Sequence, residues 1–126
     1  MAVQLCQEVV EAWAEREGPV VLTTVDRRGM PNAIYAGMVN RMADGRLAVA
    51  DNYFAKTKAN IDAGTRASIL FITKGHKSYQ VKGSVEYQTA GPLYQEMLSW
   101  ASPKHPRKGV VVVNTEEMYR GKDKLA

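Results

Sequence analysis

The chain lacks the residues from which cysteine-based centres are built, since Cys6 is its only cysteine. A single cysteine excludes an internal disulfide and any metal site made of several cysteines. The longest purely apolar runs, such as residues 110–113, span four or five residues, which is far too short to cross a membrane. The first sixteen residues carry several glutamates, so we expect no signal peptide there. These absences predict a cytoplasmic protein without membrane contact.

Several motifs of common enzymes are also missing. No GxGxxG, no GxxxxGK followed by Ser or Thr, and no GxSxG occurs, so the sequence supports neither a Rossmann site, a P-loop nor a hydrolase elbow. The two histidines, His76 and His105, fall in different predicted loops without a carboxylate at metal-ligand spacing. This spacing favours surface residues, and we expect no metal site.

The composition is that of one globular domain over residues 1–126, with 45% hydrophobic and 24% charged residues. A chain of this length buries roughly two-thirds of its unfolded surface, so it folds without a disulfide or a structural metal. The net charge of +4 comes largely from the last 26 residues, which form either a solvated basic tail or a surface for an anionic partner. Neither interleaved aromatics nor a known motif accompanies the basic residues, which argues against nucleic acid as the partner.

Hydrophobic periodicity predicts a mainly β protein with short helices. Helices are predicted over residues 3–16, 54–63 and 92–100. Strands are predicted over residues 20–25, 32–40, 46–50, 67–73, 78–89 and 109–114. Six closely spaced strands with short helices between them are typical of a small β-barrel. A glycine inside the fifth strand, Gly83, indicates a bulge or a close backbone approach.

The segment from Asp51 to Asn60 carries the most informative polar pattern. Lys56 and Thr57 follow a short apolar strand and stand at the predicted start of a helix. An ammonium, a hydroxyl and free backbone N–H groups at one spot can bind a phosphate without glycines. The alternative is a solvated Lys-Thr-Lys face on an ordinary helix, and these residues alone leave both interpretations open.

Three stretches follow one another in an order and spacing that carry a resemblance. They are Val21-Leu22-Thr23-Thr24-Val25 through Gly29-Met30-Pro31-Asn32, then Asp51-Asn52-Tyr53 with Lys56-Thr57 and Asn60-Ile61, then Gln80-Val81-Lys82-Gly83. Over about residues 5–115 the chain resembles the FMN-binding split barrels of the pyridoxamine 5′-phosphate oxidase-like family, particularly its small single-domain members. The resemblance implies a six-stranded split β-barrel and a homodimer with FMN at the interface.

The resemblance also implies cofactor-binding roles for ten residues. They are Tyr35, Ala36, Gly37, Ala50, Asp51, Asn52, Lys56, Thr57, Trp100 and Lys108. The first three would run beneath the phosphate and ribityl chain, with Gly37 letting the flavin approach the backbone. The next three would line the flavin ring with backbone groups, and Lys56 with Thr57 would bind the phosphate. Trp100 and Lys108, or Arg107 beside it, would reach the partner's cofactor. No catalytic residue is identified; Tyr53, Tyr79 and His76 are the candidate proton donors.

The resemblance implies redox chemistry with FMN, as a small electron carrier or as a flavin-dependent reductase or oxidase. The redox partner or substrate is not specified, and whether the protein is an enzyme stays open. The chain lacks the basic Arg/His-containing end segment of the larger oxidases, which argues against pyridoxamine phosphate oxidation. Two alternatives stay open. One is a split-barrel module for haem, ligated by His76 or His105, or for a deazaflavin; the other is a basic nucleic-acid-binding β-barrel.

Overall fold

A computed structural model describes residues 3–126, which form three short helices and one antiparallel sheet. The helices are α1 (Gln7–Ala14), α2 (Lys56–Asp62) and α3 (Pro92–Trp100). The strands are β1 (Val20–Val25), β2 (Pro31–Ala36), β3 (Val39–Arg41), β4 (Leu47–Asp51), β5 (Arg66–Ile72), β6 (Ser78–Gln88), β7 (Gly109–Arg120) and β8 (Asp123–Lys124). In the sheet the order is β2-β1-β5-β6-β7-β4-β3, and β8 pairs with β7.

The strand order makes the sheet curl into an open barrel. β2 and β3 form opposite edges of the sheet, yet only Gly37 and Met38 separate them in the chain. Three peptide steps of 3.8 Å hold their ends within about 11 Å of each other. The two edges therefore meet at residues 37–38 without pairing, and this opening is the split of a split barrel. The predicted fold class is confirmed.

The strand count is eight rather than the predicted six. Residues 32–40, expected to form one strand, are interrupted at Gly37–Met38 and give β2 and β3. The last strand, expected to end at Asn114, continues to Arg120 and turns back as β8. Residues 115–120 are thus part of a paired strand, and Arg120 forms an ion pair of 2.7 Å with Glu8 of α1, whereas Lys122 and Lys124 beyond it are exposed. The first helix is shorter than predicted, since Val3 precedes it in a backbone hydrogen bond to Thr115.

Two apolar clusters pack against opposite faces of the sheet. The larger fills the barrel and includes Val9 and Trp13 of α1 with Leu22, Ile69 and Val81 of the strands. The smaller lies on the opposite face of β4 and β7, where α3 covers them with Met97. Buried on both faces, residues 47–50 of β4 and 110–113 of β7 form unbroken apolar runs rather than alternating ones.

The pairing of β6 with β7 contains the irregularity predicted at Gly83. The register shifts between Lys82 and Gly83, and a Cβ at residue 83 would overlap the carbonyl oxygen of Asn114. Among residues 3–126, no helix is long and apolar enough to span a membrane.

Candidate functional site

A cleft of about 440 Å³ opens at the split of the barrel, a volume within the usual range for small-molecule sites. Its walls come from β2, from the segment linking β2 to β3, from the end of β4, from the turn between β4 and α2 and from the α3–β7 loop. They are Ile34, Tyr35, Ala36, Gly37, Met38, Ala50, Asn52, Tyr53, Phe54 and His105. Five of the ten residues implied by the resemblance therefore meet in one cavity, although they come from two separate segments of the chain.

Gly37 lies in the wall of the cleft with open space beside it. A Cβ built at this residue would meet no atom of the chain within 4 Å. Its φ is not in the left-handed region either, unlike that of six other glycines. Neither packing nor backbone conformation therefore requires glycine at this position, and the missing side chain leaves room for a ligand.

Asp51 ends β4 next to the cleft, but its side chain turns away into the protein and is 2% exposed. Its Oδ1 accepts a hydrogen bond of 3.0 Å from the Phe54 N–H, and its Oδ2 accepts one of 2.5 Å from the Tyr87 hydroxyl. Its carbonyl oxygen accepts from the Lys108 N–H at 2.8 Å. Burial, reinforced by the hydrogen bond to Asp51, raises the pKa of the Tyr87 phenol. The carboxylate of Asp51 is thus committed to internal contacts.

Lys56 and Thr57 begin α2 beside the start of β2. The Thr57 side chain is 1% exposed, and its Oγ1 accepts a hydrogen bond of 3.1 Å from Asn32 of β2. Lys56 is exposed and forms no salt bridge within residues 3–126, whereas Lys58 pairs with Asp62 at 2.8 Å. Neither Lys56 nor Thr57 lines the cleft itself. Asn32 and Ala36, which lies in the cleft wall, are four residue steps of about 3.3 Å apart, so about 13 Å of β2 connects the two places.

Trp100 and Lys108 do not line the cleft of this chain. Trp100 ends α3 and packs in the smaller apolar cluster, while the Lys108 side chain is exposed. Arg107 lies between them, with a left-handed φ of 49° and its N–H donating to Asn52 Oδ1 at 3.0 Å. Among the described residues, two buried side-chain donors have no hydrogen-bond partner, Trp100 Nε1 and Arg107 Nε. Trp100 is the last residue of α3, and Arg107 belongs to the following loop, which donates backbone N–H groups to Asp51 and Asn52 at the end of β4.

His105 is a cleft residue that the resemblance did not assign to the FMN site and that the sequence offered only as a haem ligand in the alternative. Its Nδ1 shares a hydrogen bond of 3.2 Å with the Tyr53 hydroxyl, and the two rings meet edge to face. Of the three candidate proton donors, only Tyr53 reaches the cleft. Tyr79 is buried and donates to Glu8, and His76 lies in the exposed turn between β5 and β6. No sequence signal links Tyr53 to His105, since the fold alone brings the two loops together.

Comparison with known proteins identifies relatives over nearly the whole chain. A sequence model of the family described as pyridoxamine 5′-phosphate oxidase matches residues 6–120. An uncharacterized protein of Methanocaldococcus jannaschii is 30% identical over 122 residues, which span 93% of this chain and 80% of that protein.

Solved structures share the fold at lower sequence identity. HupZ of Group A Streptococcus superposes with a TM-score of 0.80 and 22% identity, covering 96% of this chain and 97% of its own. An FMN-binding protein from Syntrophomonas wolfei superposes with a TM-score of 0.67 and 20% sequence identity, covering 90% of this chain and 86% of its own. HutZ, the heme storage protein from Vibrio cholerae, superposes with a TM-score of 0.68 and 18% sequence identity, covering 94% of this chain and 96% of its own. At these identities the likeness establishes a common fold.

Proposed function

The chain belongs to the pyridoxamine 5′-phosphate oxidase family, and we propose that it binds FMN in the cleft at the split of its barrel and acts in redox chemistry. One observation carries the proposal: Tyr35, Ala36 and Gly37 share a cavity with Ala50 and Asn52, and these are positions to which the resemblance assigns flavin contacts. The FMN-binding protein from Syntrophomonas wolfei, which has the same fold, supports the choice of cofactor.

The residues present suit the two chemically different ends of FMN. The cleft wall is mostly apolar and aromatic, and the space beside Gly37 admits a flat ring close to the backbone. At the other end of β2, Lys56 has no ion-pair partner within residues 3–126, so its ammonium is free to bind a phosphate. In this arrangement the ring would occupy the cleft and the ribityl chain would follow β2 towards α2.

When bound, FMN supplies the electron and hydride chemistry, and the chain supplies binding, orientation and charge. β2 and the end of β4 would orient the ring, and Lys56 with Thr57 would bind the phosphate. Three groups of the cleft wall can hold or release a proton: the hydrogen-bonded pair Tyr53 and His105, and the Tyr35 phenol. The proposal covers both an electron carrier and a flavin-dependent reductase, and it includes a homodimer with FMN at the interface.

Haem is the second candidate for the same cleft, and the position of His105 favours it. Histidine is a common axial ligand of haem iron, and His105 lies in the cleft wall. HutZ, which has the same fold, is named as a heme storage protein. His76 lies in an exposed turn outside the cleft, so the haem alternative now depends on His105 alone.

The absorbance spectrum of the purified protein distinguishes the two cofactors, because flavin and haem absorb at different wavelengths. FMN and riboflavin are then titrated into the apo-protein and followed by flavin fluorescence. The proposal expects FMN to bind, and to bind more tightly than riboflavin. Failure of both flavins to bind would overturn it. If haem binds instead, His105→Ala should lose the Soret band and the control His76→Ala should keep it. A protein that binds no flavin and loses its Soret band only in His105→Ala would establish haem as the cofactor.

A further inference from the structure

Tyr87 connects two strands that are not neighbours in the sheet. It belongs to β6, whereas the carboxylate that accepts its hydroxyl hydrogen bond, that of Asp51, belongs to β4. β7 lies between the two strands. The Tyr87 side chain therefore crosses over β7 to reach Asp51, and the resulting hydrogen bond of 2.5 Å is charge-assisted.

Gly109 makes this crossing possible. It is the residue of β7 that pairs with Asp51. A Cβ at residue 109 would lie 2.5 Å from Cζ and Oη of Tyr87, much closer than atoms approach without bonding. The tyrosine ring thus occupies the space of the missing side chain, and the glycine is required for Tyr87 to reach Asp51.

The second oxygen of the same carboxylate shapes the wall of the cleft. Asp51 Oδ1 accepts from the Phe54 N–H at 3.0 Å and so closes the turn between β4 and α2. Asn52, Tyr53 and Phe54 of this turn line the cleft, and Lys56 follows two residues later. With both oxygens bonded, the carboxylate has one orientation, and that orientation fixes the path of the turn. A buried carboxylate that lost one partner would be costly and would reorient.

We propose that Tyr87 is a positioning residue for the cofactor site: through Asp51 it holds the turn at residues 52–56, so that Asn52 and Lys56 stay in place for the flavin and its phosphate. This inference rests on the proposed FMN function. Tyr87 touches none of the cleft itself, and it acts only through the carboxylate of Asp51 and the N–H of Phe54.

The test compares Tyr87→Phe with Tyr119→Phe. Both changes remove one hydroxyl and keep the ring, but the Tyr119 hydroxyl donates to Glu117 on β7, outside the cleft. The first measurement is amide hydrogen exchange at Phe54 in ligand-free protein, and the second is the ratio of FMN affinity to riboflavin affinity. We expect Tyr87→Phe to speed exchange at Phe54 about ten-fold and to lower the affinity ratio several-fold, as for a lost hydrogen bond to a charged group. Tyr119→Phe should change neither.

If the role of Tyr87 were purely structural, Tyr87→Phe would speed hydrogen exchange at Phe54 but leave the ratio of FMN affinity to riboflavin affinity unchanged. That result would overturn the proposal. Unchanged exchange would overturn it as well. If the wild type binds neither flavin, the proposed function itself fails, an outcome visible before any variant is made. Gly109→Ala gives a second variant with intact phenol and carboxylate; it should displace the ring and reproduce the lowered ratio.

Discussion

Lys56 and Lys58 lie two residues apart on α2, yet their charges have different surroundings. Lys58 pairs with Asp62 at 2.8 Å, and its ammonium lies 4.8 Å from the centre of the Tyr87 ring. Lys56 is exposed and has no ion-pair partner within residues 3–126. Two residues correspond to about 200° around a helix, so the two side chains point in different directions. Of the two, only Lys56 has a charge that is free for a ligand.

We therefore predict that Lys56→Ala weakens FMN binding about ten-fold or more, because a charge-assisted bond to the phosphate is lost. Lys58→Ala should change the affinity little, since it breaks an i,i+4 pair of about 0.3–0.5 kcal/mol and a contact with the face of the Tyr87 ring, while the Tyr87–Asp51 hydrogen bond keeps both of its groups. Fluorescence titration of the apo-proteins measures both affinities, with riboflavin as the phosphate-free control. Equal losses for the two variants would mean that diffuse positive charge, and no defined phosphate site, binds the cofactor.

The Thr57 hydroxyl accepts a hydrogen bond from Asn32, in addition to its predicted role at the phosphate. Thr57→Val keeps the shape of the side chain but leaves the Asn32 amide without its acceptor. We expect a loss of about 1 kcal/mol in the free energy of unfolding, and about 1 kcal/mol in FMN binding, with almost no effect on riboflavin. Urea unfolding and flavin titration measure the two losses separately, and Thr57→Ser, which keeps a hydroxyl, is the control. Riboflavin binding as tight as FMN binding in the wild type would show that the phosphate assignment is wrong.

At the level of residues, the sequence predicted what lies within one segment and missed what the fold assembles. Tyr35 to Gly37, Ala50 and Asn52, which line the cleft, lie in or within five residues of the stretches that carry the family resemblance. His105 lies 52 residues from Tyr53, and Tyr87 lies 36 residues from Asp51. Such contacts depend on which strands become neighbours, and no local pattern encodes that.

Among the elements, α1 is fastened to the sheet by one carboxylate. Glu8 accepts a hydrogen bond of 2.7 Å from Arg120 of β7 and one of 2.9 Å from Tyr79 of β6. The hydrogen bond from Arg120, followed by that from Tyr79, holds the pKa of Glu8 below its ordinary value of 4.5. A group whose pKa is lowered by folding stabilises the protein above its unfolded pKa, and this contribution disappears as the pH falls through the folded pKa.

We predict that Glu8→Gln lowers the free energy of unfolding at pH 7. The difference from the wild type should shrink as the pH falls below 4.5 and vanish in stronger acid, where Glu8 itself becomes neutral. Urea unfolding at a series of pH values between 7 and 3 measures this difference. Glu15→Gln, an exposed change at the end of the same helix, is the control and should give no such pH dependence. A constant difference across the series would contradict the prediction.

The elements also show where sequence patterns stop being informative. β1, β5, β6 and α3 lie within about a residue of their predicted bounds, because turn residues separate them clearly. The second half of β7 was not predicted as a strand, because its half-buried positions carry Glu116, Glu117 and Arg120. In the sequence such charged residues resemble a polar segment at the end of the chain. Pairing with β6 makes it a strand, with Lys82 opposite Glu117. α1 was predicted to begin too early because the apolar residues before it pack against the same core in an extended conformation.

For the whole molecule, the structure changes the reason for expecting a homodimer. The apolar runs at residues 67–72 and 110–113 predict more apolar surface than one barrel can bury. In the structure the four valines of the second run are fully buried within a single chain, because α3 covers the second face of β7, whereas Leu70 and Ile72 of the first run are 39% and 41% exposed. The exposed aromatic surface lies instead beside the cleft, where Tyr35 is 79% exposed and Tyr53 is 68% exposed. Large exposed aromatic side chains at the rim of a cavity are typical of interaction surfaces.

We predict that the protein sediments at close to twice its chain mass of 13.9 kDa at micromolar concentration. If FMN contacts both subunits, it must also tighten the dimer, because ligand binding and association are thermodynamically linked. The dimer dissociation constant, measured by sedimentation equilibrium, should therefore fall when FMN is added. Riboflavin, which lacks the phosphate, should have a smaller effect at the same concentration.

Tyr35→Glu tests whether the cleft side forms this interface. The side chain is almost fully exposed in one chain, so the change should leave folding intact while placing a charge in the apolar contact. We expect it to shift the protein towards monomer, whereas Thr89→Glu, an exposed change after the end of β6, should leave the dimer intact. A wild type that sediments as a monomer with FMN bound would show that a single chain completes the cofactor site. A dimer unaffected by Tyr35→Glu would instead place the subunit contact on another face, away from the cleft.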